Sequence, residues 1–175
     1  METELNLQRV TMREHLVDAH FAGANARDLA AIMHTFGDAP RFEDEPWGER
    51  LLGRREVERH IRELLHAIPD LELEMKARHV ASDAIIVEAV MRGTHQDTWH
   101  SIPATGLPIA VQACTIFTFD DRDKLGAERM YYDRATLLRQ LGLFHDFTSI
   151  TGRVMTPLTH PITAARAMGH RLFHH

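Results

Sequence analysis

The C-terminal part of the fold is decided by residues 128–142, Glu-Arg-Met-Tyr-Tyr-Asp-Arg-Ala-Thr-Leu-Leu-Arg-Gln-Leu-Gly. Within this stretch the pattern of apolar residues changes from that of a strand to that of a helix. Met130 to Tyr132 favour a strand, because aromatic side chains pack well on a pleated surface. The three leucines between residues 137 and 141 then recur at helical spacing. Asp133 stands at the junction, where an aspartate accepts hydrogen bonds from the amides of the next turn. The stretch therefore predicts a strand that passes directly into a short capped helix.

The first third of the chain has the periodicity of amphipathic helices. Apolar residues recur at helical spacing between residues 5 and 21, and a second helix is expected near residues 28–36, with Asp28 as a natural cap. Residues 56–67 carry a third apolar stripe that predicts another helix. A short strand is expected over residues 40–45, between the second helix and the third.

Downstream of these helices the period changes to two. Residues 71–75 (Leu-Glu-Leu-Glu-Met) alternate strictly, as a half-buried strand does. Three further strands are predicted over residues 84–92, 109–119 and 125–132, and the acidic run at 120–123 is typical of a hairpin turn. Helices followed by an antiparallel meander predict an α+β fold with the helices against one face of a curved antiparallel sheet. A ligand is expected between that face and the helices.

Length and composition suit one domain with one core. The chain has 175 residues, 44% hydrophobic and 26% charged, and its net charge of -5 leaves no basic surface for nucleic acid. No apolar run reaches the length of a membrane span, and the first residues are polar and acidic, unlike a signal peptide. Cys114 is the single cysteine, so it has no internal disulfide partner. We expect a cytoplasmic protein that binds neither nucleic acid nor membranes.

Several motifs, in order along the chain, resemble one known family. They are Gly-Thr-His at residues 93–95, Pro-Ala-Thr-Gly at 103–106, Tyr-Asp-Arg at 132–134 and Leu-Arg-Gln-Leu-Gly at 138–142. Over residues 10–143 the chain resembles the SnoaL-like polyketide cyclases, a branch of the nuclear transport factor 2-like superfamily. The resemblance implies a half-cone of curved sheet wrapped around the N-terminal helices over residues 1–143, followed by a C-terminal tail.

The resemblance also implies an activity and a catalytic group. Enzymes of this type need no cofactor and act on a hydrophobic, carbonyl-bearing small molecule, closing a ring by aldol chemistry; isomerisation or epoxide hydrolysis would need similar residues. An aspartate in the context of Asp133 is the acid/base in these cyclases. Partial burial among aromatic side chains would raise the pKa of such a carboxylate. The simpler interpretation is that Asp133 only caps its helix.

Two residue choices follow from the same region. Strand alternation places Tyr131 and Tyr132 on opposite faces, and Asp133 has the parity of Tyr131. We therefore assign Tyr131 to the binding pocket and Tyr132 to the outer face. His95 is the second catalytic candidate, because a histidine commonly follows this Gly-Thr pair in the resembling proteins. It would hydrogen-bond a substrate carbonyl or hold Asp133; the structural alternative is a histidine at the strand end that only hydrogen-bonds the neighbouring loop.

Further side chains are candidates for the walls of the pocket. One lies on the loop after the second long strand and the others come from the helical half of the chain: Trp99, His34, His60 and Trp47. Each has a structural alternative, as a packed core residue or a surface residue. Gln112 lies among apolar neighbours on a strand, and we expect it to face solvent or a subunit interface.

Two other functions stay open at this point. His95 and Asp97 lie two apart on a strand and, with His145, have the order of the His-x-Asp…His iron site of oxygenases. A non-catalytic module that binds a small molecule, or pairs subunits through an apolar sheet face, would need no acid/base group. The preferred interpretation includes no metal and no cofactor. A homo-oligomer, dimer or tetramer, is expected, because half-cones of this superfamily often pair through the sheet.

Residues 144–175 lie beyond the resemblance. Within them, apolar residues share one face of a possible short helix over residues 162–173. This tail is either a frayed chain end or a segment that docks on its own domain or on a neighbouring subunit.

Overall fold

A computed structural model describes residues 2–144 of the chain. Its helices are α1 (Glu2–Ala26), α2 (Leu29–Thr35), α3 (Arg54–Ala67) and α4 (Arg134–Gln140). Its strands are β1 (Phe36–Asp44), β2 (Glu49–Leu52), β3 (Glu72–Val80), β4 (Ala84–Thr94), β5 (Pro108–Phe119) and β6 (Leu125–Tyr132). The interpretations of residues 145–175, including the docking helix, fall outside the described residues.

The six strands form one curved, unclosed sheet in the order β2-β1-β6-β5-β4-β3. This arrangement confirms the predicted α+β half-cone. Two details differ from the prediction. The strand β2 was not predicted. The strands β1 and β6 are parallel, with Asp44 beside Met130, whereas the other strand pairs of the described sheet are antiparallel. The parallel pair arises because the chain leaves β1 through the β2 hairpin and α3, and returns beside β1 only with the last strand.

Helix boundaries follow local sequence signals. The Asp28 carboxylate accepts a hydrogen bond from the backbone N–H of Ala31 at 2.9 Å and so caps α2. In α3, Val57 and Ile61 lie one turn apart on the buried stripe, while the arginines of the same helix face outward. None of the helices within residues 2–144 combines the length and apolarity that a bilayer span requires.

The core lies between the helices and the concave face of the sheet. Alternate residues of β4 are buried there, and so are their partners on β5: Ile85, Val87, Ala89, Met91, Val111 and Phe117. Helix α1 packs over β3 and β4, and α3 packs over β1 and β2. Burial of this face supplies most of the driving force for the fold, at roughly 25 cal/mol for each Å² of apolar surface removed from water. Side chains with the same strand parity as these residues point into the cone.

Candidate active site

Asp133 lies on the surface rather than in the cone. Its side chain is 61% exposed and its carboxylate accepts hydrogen bonds from the Ala135 amide and the Thr136 hydroxyl. The hydrogen bond from Thr136 is the main reason why the pKa of Asp133 is lowered. The prediction of a desolvated carboxylate with a raised pKa is therefore wrong. The strand ends at Tyr132, so Asp133 turns toward the amides of α4 and acts as a helix cap.

The assignment of the two tyrosines is also wrong. The Tyr131 residue is 41% exposed on the outer face, whereas the Tyr132 ring packs inside the cone against the buried cluster that contains Trp99. Strand alternation holds through Tyr132, but Asp133 no longer belongs to the strand, so its parity does not indicate its face. The inner tyrosine is Tyr132.

His95 is completely buried and is held by Thr105. The backbone N–H of Thr105 donates to Nδ1 of His95 at 3.3 Å, and the Thr105 hydroxyl lies 3.2 Å from the same atom. Because Nδ1 accepts, the ring proton belongs on Nε2, which is buried without a hydrogen-bond partner among the described residues. Burial lowers the pKa of His95. Asp133 makes its own hydrogen bonds to α4, so His95 does not hold it.

The other predicted wall residues divide into two groups. His34 is exposed, and its carbonyl oxygen accepts a hydrogen bond from Lys124, so its assignment to the pocket wall is wrong. Helix α2 simply turns this position outward. Trp99, Trp47 and His60 all pack inside the cone. Gln112 is exposed on the outer face of β5, one of the two places expected for it.

A buried polar cluster, which we call the Asp44 cluster, occupies the inside of the cone. It consists of a carboxylate at the end of β1 and five side chains that surround it: Asp44, Trp47, Glu49, His60, His100 and Tyr132. Asp44 is only 2% exposed, since it has the inward parity of Phe42 on β1. A buried carboxylate is costly unless neighbouring groups compensate it, which makes this cluster the leading functional candidate.

A directed chain of hydrogen bonds holds the Asp44 carboxylate. The indole N–H of Trp47 donates to the Tyr132 hydroxyl oxygen at 2.6 Å, and that hydroxyl donates to Oδ2 of Asp44 at 3.1 Å. Burial, followed by the negative charge of Asp44, raises the pKa of Tyr132. Tyr132 therefore keeps its proton and remains a donor to Asp44.

His100 faces Asp44 from the loop after β4. Its Nε2 lies 3.6 Å from Oδ2 of Asp44, and its Nδ1 lies 3.3 Å from a Glu49 oxygen. The Trp47 ring stacks on the imidazole with centroids 4.2 Å apart and an angle of 11° between planes. The backbone of His100 has φ of 47°, an uncommon conformation for a residue with a side chain, and such conformations cluster at functional sites.

His60 forms the helical side of the cluster. Its ring packs on Phe42 with centroids 4.6 Å apart, and Nδ1 lies 3.8 Å from the second Glu49 oxygen. Burial lowers the pKa of His60, although the negative charge of Asp44 acts in the opposite direction. The burial effect is the larger, so His60 favours its neutral form, which can both accept and donate a proton.

Several buried polar atoms near this cluster have no hydrogen-bond partner within the part of the chain that the structure describes. They are Oδ1 of Asp44, Nε2 of His100 and Nε1 of Trp99. Buried polar atoms in native proteins are nearly always paired, so each unpaired one calls for an explanation. A buried acceptor and buried nitrogen donors without partners are suited to a small molecule with a carbonyl oxygen and an acidic C–H or O–H group.

Sequence reasoning missed Asp44, Glu49 and the inner role of Tyr132. The available signal was the alternation of Phe42 and Asp44 at the end of the first strand, which places an acidic residue on the core face. That signal is weak, because Glu43 and Glu45 flank Asp44 and any of the three could face solvent. Only the parallel pairing of β1 with β6 brings Asp44 to Tyr132.

Two of the three residues of the iron-site alternative, His95 and Asp97, lie within the described part of the chain. His95 is buried while Asp97 is exposed and accepts a hydrogen bond from the Thr98 amide. No group of three or more His, Cys, Asp or Glu side chains arranged to hold a metal occurs among the described residues. His145, the third ligand of that hypothesis, is outside them.

Comparison with solved structures places the chain among half-cone proteins. AclR, a putative hydroxylase from Streptomyces galilaeus, matches with a TM-score of 0.70 and 22% identity over 95% of this chain and 99% of its own. A putative SnoaL-like polyketide cyclase from Jannaschia sp. CCS1 matches with a TM-score of 0.69 and 19% identity over 75% of this chain and 92% of its own. The epoxide hydrolase/cyclase-like enzyme SalBIII, from pyran ring formation in salinomycin, matches with a TM-score of 0.60 and 17% identity, over 71% and 92% respectively.

At these identities the structural matches establish the fold alone. No curated protein matches the sequence. The family model described as SnoaL-like polyketide cyclase matches residues 14–141, which is most of the chain and all of the half-cone after the start of α1. The protein therefore belongs to the SnoaL-like polyketide cyclase family.

Proposed function

We propose that this protein is a cofactor-independent acid/base enzyme that acts on a hydrophobic, carbonyl-bearing small molecule, with Asp44 as the base. One observation carries the proposal: the Asp44 carboxylate is 2% exposed, lies 3.6 Å from His100 and accepts a hydrogen bond from Tyr132. Family membership supports cyclase or isomerase chemistry. The proposed reaction is an aldol ring closure, and isomerisation would use the same groups.

Asp44 is suited to remove a proton from carbon. Tyr132 and His100 contact Oδ2, whereas Oδ1 has no partner among the described residues and is available to a substrate. The Trp47–Tyr132 chain fixes the carboxylate in one orientation, because each donor has its proton committed. A general base positioned in this way typically contributes a factor of about 10²–10⁴ to the rate.

The developing enolate oxygen needs hydrogen-bond donors. Trp99 supplies a buried N–H without a partner in the described region, and so does His95 in the tautomer that Thr105 imposes. Donors fixed in advance stabilise negative charge strongly where water is excluded. His95 therefore keeps its predicted role toward a substrate carbonyl, and Trp99 gains one.

The test compares two aspartates with one probe. The probe is a methyl ketone joined to a phenyl ketone through three methylene groups, which can close to a cyclohexenone. In heavy water, nuclear magnetic resonance follows deuterium exchange next to the carbonyls and chromatography follows ring closure. Asp44→Asn should lower exchange by at least about 10²-fold, while Asp133→Asn, which keeps a helix-capping side chain, should retain it. Equal rates of deuterium exchange with Asp44→Asn and with the wild type would contradict the proposal.

A second candidate function is a binding or pairing module, and one observation favours it. The outer sheet face carries a shallow groove of about 600 Å³ lined by Val90, Gln112, Cys114 and Tyr131 among others. Tyr131 and its neighbours in this groove are not fully buried. Exposed surfaces that include apolar side chains often mark sites of protein association. We infer that this face pairs two copies of the chain into a homo-oligomer.

A cytoplasmic location also belongs to the proposal, on the basis of the single unpaired Cys114.

A further inference from the structure

A second buried polar group lies inside the cone and has no part in the mechanism above. His20 on α1 and Glu128 on β6 are each 5% exposed, and Nε2 of His20 lies 3.4 Å from Oε2 of Glu128. Phe36 and Phe117 pack edge-on against the imidazole with centroids 5.4 and 5.6 Å away. We call these two residues the His20–Glu128 pair. Its apolar surroundings disfavour any unbalanced charge.

Hydrogen-bond directions around Thr35 determine how many protons the pair holds. The Thr35 hydroxyl donates to the carbonyl oxygen of Ile32 at 2.6 Å, so its only proton is committed. The hydroxyl oxygen lies 2.9 Å from Nδ1 of His20 and must accept the proton of that nitrogen. A neutral imidazole would then present a bare Nε2 lone pair to a carboxylate oxygen. One further proton between Nε2 and Oε2 removes this repulsion and leaves the pair neutral overall.

The pair lies on the same inner face as Asp44. Strands β1 and β6 are parallel, with Phe42 beside Glu128 and Asp44 beside Met130, so the two carboxylates are one inward position apart on adjacent strands. Adjacent strands lie about 4.8 Å apart and rise about 3.3 Å per residue, so the Cα atoms of such diagonal neighbours are about 8 Å apart. The charges of both Asp44 and Glu128 act on His60, which therefore lies within electrostatic reach of each. A substrate bound against this face would therefore contact the Asp44 carboxylate at one point and the Glu128 carboxylate at another.

We propose that Glu128 is the internal acid of the reaction and that His20 is the positioning residue that keeps it supplied with a proton; this rests on the proposed function. Asp44 takes a proton from carbon, and the C–H electron pair forms the new carbon–carbon bond at the second carbonyl. The π electrons of that carbonyl move to its oxygen, which takes the proton shared by Glu128 and His20. Asp44 then releases its proton to solvent and the His20–Glu128 pair takes one up from solvent before the next turnover, so the proton and electron counts are unchanged.

The test separates proton removal from proton delivery. With the diketone probe in heavy water, Glu128→Gln should lower ring closure at least tenfold more than it lowers deuterium exchange, because Asp44 is intact. Asp44→Asn should lower both. His20→Asn keeps an N–H donor for Thr35 but cannot share a proton with Glu128. It should therefore lower ring closure more than deuterium exchange, as Glu128→Gln does. Circular dichroism checks that all three variants fold.

Each remaining outcome has one meaning. Equal loss of exchange and closure in Glu128→Gln, or no loss, overturns the role of the pair and leaves the Asp44 proposal standing. No exchange by the wild type overturns the proposed function itself. Independently of any substrate, proton magnetic resonance of the wild type should contain a downfield, slowly exchanging signal that is absent from both His20→Asn and Glu128→Gln. Absence of that signal from the wild type contradicts the shared proton.

Discussion

The Tyr132 hydroxyl lies 3.1 Å from Oδ2 of Asp44, although the two residues are 88 positions apart in the chain. Each comes from the last residue of a strand, β1 or β6, and the parallel pairing of those strands brings the two ends together. The same hydroxyl accepts the Trp47 indole proton. Tyr132 is thus the link that orients the buried carboxylate.

Removal of the Tyr132 hydroxyl should destabilise the protein. Tyr132→Phe leaves Oδ2 of Asp44 without its donor and the Trp47 N–H without its acceptor, and an unsatisfied buried group costs about 1–3 kcal/mol. Urea denaturation monitored by Trp fluorescence measures this loss. Tyr131→Phe is the matched control: its ring lies on the outer face, so we expect a change within about 0.5 kcal/mol. Equal effects of the two substitutions would contradict the placement of the rings.

The raised pKa of Tyr132 also predicts how stability depends on alkaline pH. The unfolded chain releases this phenolic proton above about pH 10, whereas the folded protein retains it. The folded state therefore binds more protons there, and the free energy of unfolding falls as pH rises. Denaturation at a series of alkaline pH values should show this slope, and Tyr132→Phe should reduce it. An unchanged slope in the variant would assign the effect to other groups.

His60 predicts the opposite dependence on the acid side. Burial lowers its pKa in the folded state, so the unfolded chain takes up a proton first as pH falls through about 6.5. The free energy of unfolding should therefore decrease between about pH 7.5 and 5.5. His60→Gln cannot take up this proton and should have a shallower decrease, measured by urea denaturation at both ends of the range. His95, whose pKa is lowered by the same cause, contributes a further part of the slope.

Gly93 should tolerate no side chain. A Cβ at this position would collide with Cγ2 of Ile68 and come within 3.1 Å of the Asp70 carboxylate, which binds the Thr94 amide and hydroxyl. Gly93→Ala should cost about 1–3 kcal/mol in thermal or urea unfolding, as overpacking does. Adding Ile68→Leu removes the Cγ2 branch and should recover part of the loss. A double variant no more stable than Gly93→Ala would locate the strain elsewhere.

Pairing through the outer sheet face predicts a change of mass on substitution there. Light scattering of the wild type at micromolar concentration should give at least a dimer mass, and Tyr131→Arg should shift it toward the monomer, because a charge would be buried in the interface. Leu52→Arg is the control, since Leu52 is 65% exposed on the distant strand β2. A monomeric wild type would overturn the pairing proposal.

Local sequence patterns were sufficient for most elements of this fold, although they did not predict β2 (Glu49–Leu52). The strand propensity of Met130 to Tyr132, together with the turn at 120–123, predicted β6 with the bounds that the structure has, and Asp28 caps α2 as expected. These signals are local, because a strand or a helix cap depends on residues within a few positions of one another. The motif resemblance added the half-cone and the family, since it samples separate segments in order.

Only the tertiary structure decided that Asp44, rather than Asp133, is buried away from water. Asp44 lies within a predicted strand and Asp133 directly follows one, and nothing local distinguishes their solvation. The sheet order places Asp44 beneath His100 and beside Tyr132, while α4 turns Asp133 outward to its own amides. The burial of Asp44 and its contact with His100 depend on segments that are distant in the chain, and Glu49 and His100 likewise meet across 51 residues. The sequence therefore determined the elements and their family, and the packing of distant segments decided the chemistry at the centre of the cone.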